Sequence, residues 1–191
     1  MGLALICVSY GAAKTGLLSG EKAGEKAREK EIPAMSMNIS SPSFAHERDI
    51  PARHTCDGRN TSPSLAWNGI PAGAKSLALI ADDPDAPDPA APKMTWVHWL
   101  LYNIPPNASG LAEGIAENAL PAGTLTGVND WHNTGYGGPC PPVGQHRYFF
   151  KLYALDTVLP DLKHPTKTAL EQAMQGHVLA RAELVGVYRR R

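Results

Sequence analysis

The sequence predicts a mainly β domain: two antiparallel sheets packed as a β-sandwich, with only a few short helices. Three observations predict it. Gly and Pro are in excess, 18 and 17 of 191 residues, and both punctuate loops rather than helix interiors. Apolar runs of strand length end at turn signals. Helical patterns are few and do not alternate with the strands, which argues against a βαβ fold.

Along the chain, residues 1–36 read differently from the rest. The apolar run 3–8 is far shorter than the ~20 residues a bilayer span needs. No Lys or Arg precedes it, as a signal peptide would require. Residues 20–31 carry opposite charges three and four apart, which suits a solvated helix, but no apolar face to dock it. This segment is expected to be a disordered extension or a start assigned too far upstream, with an export signal as the alternative. The folded domain is expected over 37–191.

Within that domain, 76–81 (SLALIA) is a strand stopped by Asp82, Asp83 and Pro84. The run 96–104 (WVHWLLYNI) is a second, ended by Pro105 and Pro106. The run 147–155 (RYFFKLYAL) is a third, and 183–188 a last strand. Residues 166–174 follow Pro165 and read as a short helix ended near Gly176, with 177–180 expected to add another turn. The segment 105–146 is long and loop-like, and such loops usually carry function.

Composition narrows the function classes. Lys plus Arg and Asp plus Glu both number 18, a net charge of +0, so no bulk attraction to nucleic acid or anionic lipid exists. At 7% aromatic content, Trp67, Trp96, Trp99, Phe149 and Phe150 read as core or pocket wall, without a base-stacking surface. Neither a nucleic-acid partner nor an integral membrane segment is expected. The cysteines, Cys7, Cys56 and Cys140, form no C-x-x-C pair, against a zinc knuckle or thioredoxin motif. Cys56 and Cys140 could pair in an exported protein and would stay reduced in the cytoplasm. The cytoplasm is the expected location.

Two polar clusters stand at strand ends. The first, 82–88 (DDPDAPD), holds four carboxylates, and Pro84 and Pro87 stiffen their backbone. The second, 135–148 (GYGGPCPPVGQHRY), combines glycines that allow close backbone approach with prolines that stiffen a pocket wall. Between them lies His98, which strand alternation puts on the face of Trp96 and Leu100. Trp131 and His132, in the polar stretch NDWHNTGYGG, are candidates for an exposed binding lip.

The blocks DPDAP (83–87), WVHWLLYNIP (96–105), GYGGPCPPVGQHRYFFKLYALD (135–156) and GHVLARAELVGVY (176–188), with TCDGRNTSPSLAW (55–67), occur in an order that resembles the phosphatidylethanolamine-binding proteins. The likeness is to their bacterial branch, often called Raf-kinase-inhibitor-like proteins, and covers about 38–190. It implies a sandwich with a small pocket for phosphate or a phosphorylated headgroup. Carried over by motif, the ligand-binding residues are Asp83, Asp85, Pro87, His98, Gly138, Pro139, His146 and Tyr148, with Arg147 in support. The resemblance also implies homodimers and a kinase-like protein partner. It calls for no cofactor, no metal and no catalytic residue. No counterpart of the added C-terminal helix of the mammalian members is expected after Tyr188.

Two ionised carboxylates would repel an anion, so their charge must be offset. The expected scheme pairs Asp85 with Arg147 and Asp83 with His98, favouring an imidazolium at His98. That imidazolium, the backbone N–H groups near Gly138 and the Tyr148 hydroxyl would then donate to phosphate. Alternatives are a divalent metal held by Asp83, Asp85, His98 and His146, a hydrolase using His98 with an Asp, and a protein that inhibits a partner through its loops. The hydrolase lacks a G-x-S-x-G elbow.

Overall fold

The computed structural model describes residues 36–190, so the expectations for 1–35 lie outside the described residues. In chain order the strands are β1 (Asn38–Ser40), β2 (Arg48–Asp49), β3 (Leu65–Asn68), β4 (Ser76–Asp83), β5 (Trp96–Ile104), β6 (Gly110–Leu111), β7 (Leu125–Thr126), β8 (His146–Leu155) and β9 (Val178–Tyr188). One α-helix, α1 (Lys167–Met174), precedes β9. The small sheet runs β1-β3-β6 and the large sheet β2-β9-β8-β4-β5-β7. All pairings are antiparallel except β2 with β9.

The large sheet is buried on both faces along its central strand. Leu77 and Leu79 of β4 join Ile39, Leu65 and Trp67 of the small sheet in one core cluster. Ala78 and Ile80 alternate to the other face, where Leu170 and Met174 of α1 cover them. Each large apolar side chain buried this way stabilises the fold by about 1.5–3 kcal/mol. The Thr166 hydroxyl accepts the Ala169 N–H and caps α1, an interaction typically worth about 1 kcal/mol.

Two local expectations are corrected, and an open one, the pairing of Cys56 with Cys140, is decided. Residues 177–180 make no helical turn: Gly176 turns the chain at φ +82, and β9 starts at Val178 and pairs with β8 as far as Tyr188. A full neighbouring strand satisfies those backbone groups better than one isolated turn could. His98 does not share the face of Leu100. Ala81 pairs with Trp99 but Asp82 pairs with Val97, so His98 is the extra residue of a β-bulge. Leu100 packs in the cluster under α1, while His98 and Trp96 line a pocket. Bulges re-aim side chains in this way. Finally, Cys56 and Cys140 are joined in a disulfide across 84 residues of sequence, not left reduced. Closing so long a loop contributes about 4–5 kcal/mol in the chain-entropy model.

Candidate functional site

The pocket has a volume of about 300 Å³ and lies where the turn after β4, the start of β5 and the loop before β8 meet. Asp83, Pro87, His98 and His146 line it. So do Trp96, Met94, Trp131 and the Cys140-Pro141-Pro142 segment. Of the predicted set, Asp83, Asp85, His98, His146 and Tyr148 are all buried. Carboxylates and imidazoles are seldom buried without partners, so their hydrogen bonds decide what the site can do.

Asp85 and Arg147 form a bidentate ion pair. Arg147 Nε and Nη2 donate to the two carboxylate oxygens at 2.9 and 2.7 Å, and the Arg147 backbone N–H adds a third bond. The guanidinium holds the Asp85 carboxyl below the usual carboxylate range. The pairing expected on sequence grounds is therefore present.

Asp83 does not pair with His98. Its Oδ2 lies 2.7 Å from His146 Nδ1, and its Oδ1 accepts the Asp85 N–H at 2.8 Å. His146 Nε2 lies 2.9 Å from the Val143 carbonyl, which can only accept, so that nitrogen carries a hydrogen. One further proton is shared between Asp83 and His146, and the pair is electrically neutral whichever holds it. Burial raises the Asp83 pKa, while His146 and the Asp85 amide pull against it.

His98 instead engages the glycine loop. Its Nδ1 lies 2.6 Å from the Gly137 carbonyl, and the Gly137 N–H returns a bond to the His98 carbonyl. Burial pushes the His98 pKa down to about 4, so the expected imidazolium is overturned. The ring is neutral at pH 7, because a desolvated site disfavours its charged form. Its edge contacts are Trp131 at 5.1 Å and Tyr148 at 5.2 Å between ring centroids. Burial also pushes the Tyr148 phenol up, so it stays protonated. His98 Nε2, Tyr148 Oη and Trp96 Nε1 are buried without hydrogen-bond partners among the described residues.

The glycine loop plays a different part from the one expected. The Gly138 N–H is taken by Asn60 Oδ1 at 2.7 Å, and the Pro139 carbonyl accepts from Cys56 N–H. Neither residue lines the pocket. Gly138 packs so tightly on the His54 carbonyl that a Cβ would have no room. Together with the disulfide, these bonds anchor the loop that presents Gly137, Cys140 and the two prolines. The Gly137 and Gly138 N–H groups are spent on that anchoring and are not free for a ligand.

Trp131 joins the pocket wall and meets Trp96 edge-on at 5.3 Å, whereas His132 lines a separate hollow. Met94 was not nominated by the sequence, and no local signal marks it. It arrives because Lys93 and Met94 fold back to bond the Ala86 carbonyl. Among the described residues, no group of three or more His, Cys, Asp or Glu side chains is arranged to hold a metal.

This sandwich fold is shared by known proteins. The family model for phosphatidylethanolamine-binding proteins matches residues 40–189. A UPF0098 protein of Methanothermobacter thermautotrophicus is 52% identical over 155 residues, covering 81% of this chain and 99% of that protein. A UPF0098 protein of Chlamydia muridarum is 45% identical over 152 residues, covering 80% and 98%. Among solved structures, a phosphatidylethanolamine-binding protein homologue from Chlamydia trachomatis superposes with a TM-score of 0.75 at 42% identity, covering 82% of this chain and 99% of that one. Escherichia coli YbcL superposes at 0.74 and 32% identity, with the same coverage. The chain belongs to the phosphatidylethanolamine-binding protein family. No helix among the described residues is long and apolar enough to cross a membrane.

Proposed function

We propose that the chain is a binding protein that takes a small oxyanion or a phosphorylated headgroup into this pocket. One observation carries the proposal. Both carboxylates are neutralised internally, Asp83 by His146 and Asp85 by Arg147, while His98 Nε2 and Trp96 Nε1 on the pocket wall keep free hydrogen-bonding capacity. An anion entering there meets no net negative charge and finds polar atoms without partners. A buried group left unsatisfied costs about 1–3 kcal/mol, and a ligand that satisfies it recovers that cost. The apolar wall of Trp96, Trp131, Met94 and the prolines suits the carbon portion of a headgroup. Cys140, the one cysteine of the wall, is held in the disulfide and so offers no thiol nucleophile, which favours binding over thiol-based hydrolysis.

Calorimetry with phosphate and phosphoethanolamine tests this. His98→Ala should weaken binding at least ~10-fold, the loss of one good hydrogen bond to a charged group, with an unchanged circular dichroism spectrum. Unaltered affinity would reject the pocket as the site. Partner inhibition through the rim is the second reading, favoured by Trp131 and Val143, which are 40% and 53% exposed. A pocket variant that loses anion but still inhibits a partner would select it. The disulfide also supports the exported alternative over a cytoplasmic location, since disulfides persist in oxidising compartments. Thiol titration of protein purified from its native host, with Cys56 and Cys140 free, would reverse that inference.

A further inference from the structure

We propose that the pocket selects among tetrahedral anions by their proton, accepting the hydrogen-bearing form, a phosphate monoester monoanion or its inorganic equivalent, and rejecting fully ionised sulfate. This rests on the anion-binding function proposed above and names the chemistry of the ligand. It follows from which nitrogen of His98 carries hydrogen.

The Gly137 carbonyl can only accept, so His98 Nδ1, 2.6 Å away, is the donor. A neutral imidazole has one ring proton, and that bond uses it. Nε2 is therefore left with a lone pair, and it is buried without a partner. None of the neighbouring groups supplies it with a donor. Trp131 and Tyr148 meet the ring only through edge contacts. Asp82, on β4, is occupied by Lys151 and Lys167. His146, on β8, is occupied by Asp83 and the Val143 carbonyl.

A ligand must therefore bring its own hydrogen to His98. A P–OH group does so, and its anionic oxygens can accept from the Trp96 indole N–H, which lines the same pocket and has no partner among the described residues. A bare sulfate oxygen set against the Nε2 lone pair would be repelled. Adding a proton to His98 first is disfavoured by its burial, which already lowers its proton affinity. On the pocket wall, the acceptor His98 Nε2 and the donor Trp96 Nε1 thus match a singly protonated phosphate. Phosphate monoesters lose that proton with a second pKa of about 6.

Isothermal titration calorimetry of the full chain with inorganic phosphate, O-phosphoethanolamine and sulfate, at about pH 5.5 and about pH 8, tests this. Both phosphates should bind at least ~10-fold more tightly than sulfate at the lower pH, one hydrogen bond's worth of discrimination. Phosphoethanolamine affinity should fall about tenfold per pH unit above its second ionisation. In His98→Gln, whose amide offers either a donor or an acceptor, the phosphate-to-sulfate ratio should fall to within about threefold. A nitrogen-15 NMR spectrum of the unsubstituted protein should show the Nδ1–H tautomer at His98, and an Nε2–H tautomer would overturn the selection. Equal affinity for sulfate and phosphate would overturn it too, while leaving the anion pocket standing. Binding of neither anion would remove the pocket's proposed function itself, and the selection with it.

Discussion

Asp82 and Asp83 are neighbours at the end of β4, yet they serve opposite faces of the large sheet. Asp82 lies on the α1 side, where the Lys151 and Lys167 ammoniums reach it at 2.9 and 2.6 Å. Asp83 lies on the pocket side, where His146 and the Asp85 amide take its two oxygens. The lysine side chains remain 25% and 20% exposed, whereas His146 is completely buried. A carboxylate with two cations near water can lose one and keep the other. A buried pair with a single partner cannot, because the remaining group stays desolvated and alone. On one face charge fastens a helix to the sheet, and on the other it makes a neutral floor for a pocket.

The largest effect is expected where that floor is broken. His146→Ala should cost about 3–5 kcal/mol, the usual loss when one member of a buried pair is removed, measured by urea denaturation. A loss near zero would mean that Asp83 is simply protonated and indifferent to its partner.

Next in size is the response to acid. His98 has a folded pKa of about 4 against 6.5 for the free side chain. The unfolded chain therefore takes up the proton first, and stability falls as pH drops from about 6.5 towards about 4. The gap corresponds to about 3 kcal/mol. Asp83 works in the opposite sense: its folded pKa is raised, so its contribution is present in acid and is lost as pH rises through that value. Asp85, held low by Arg147, contributes stability lost only at still lower pH. Subtracting the stability–pH profile of His98→Gln from that of the unsubstituted protein isolates the His98 share. A flat difference would show that His98 is charged or solvated in the folded state.

The smallest effect belongs to the helix side. Lys167→Ala leaves Lys151 on Asp82 and should cost about 1 kcal/mol, with no change in anion affinity. A loss as large as that of His146→Ala would erase the contrast between the two faces.

How much of this was legible in the sequence varies from element to element. The runs in β4, β5 and β8 announce themselves because central strands need long apolar stretches to cover two faces. The α1 helix announces itself through Pro165 before it and Gly176 after it. The strands of the small sheet, two to four residues each, are too short for periodicity to register. The Asp85–Arg147 pair could be anticipated from two motifs already singled out. The Asp83–His146 pair was missed although both residues were named, because the choice between His98 and His146 depends on a one-residue bulge in β5.

By itself, the sequence determined the family, the strand-rich architecture and nearly all the polar side chains of the pocket. These are carried by residue identity and order, which survive in one dimension. Only the tertiary structure decided which partner each group takes, which ring nitrogen of His98 is left free, and that Cys56 meets Cys140. Those outcomes turn on separations of a few ångströms between residues tens of positions apart. Burial then changes which protonation state each group prefers, and no pattern along the chain encodes either distance or desolvation.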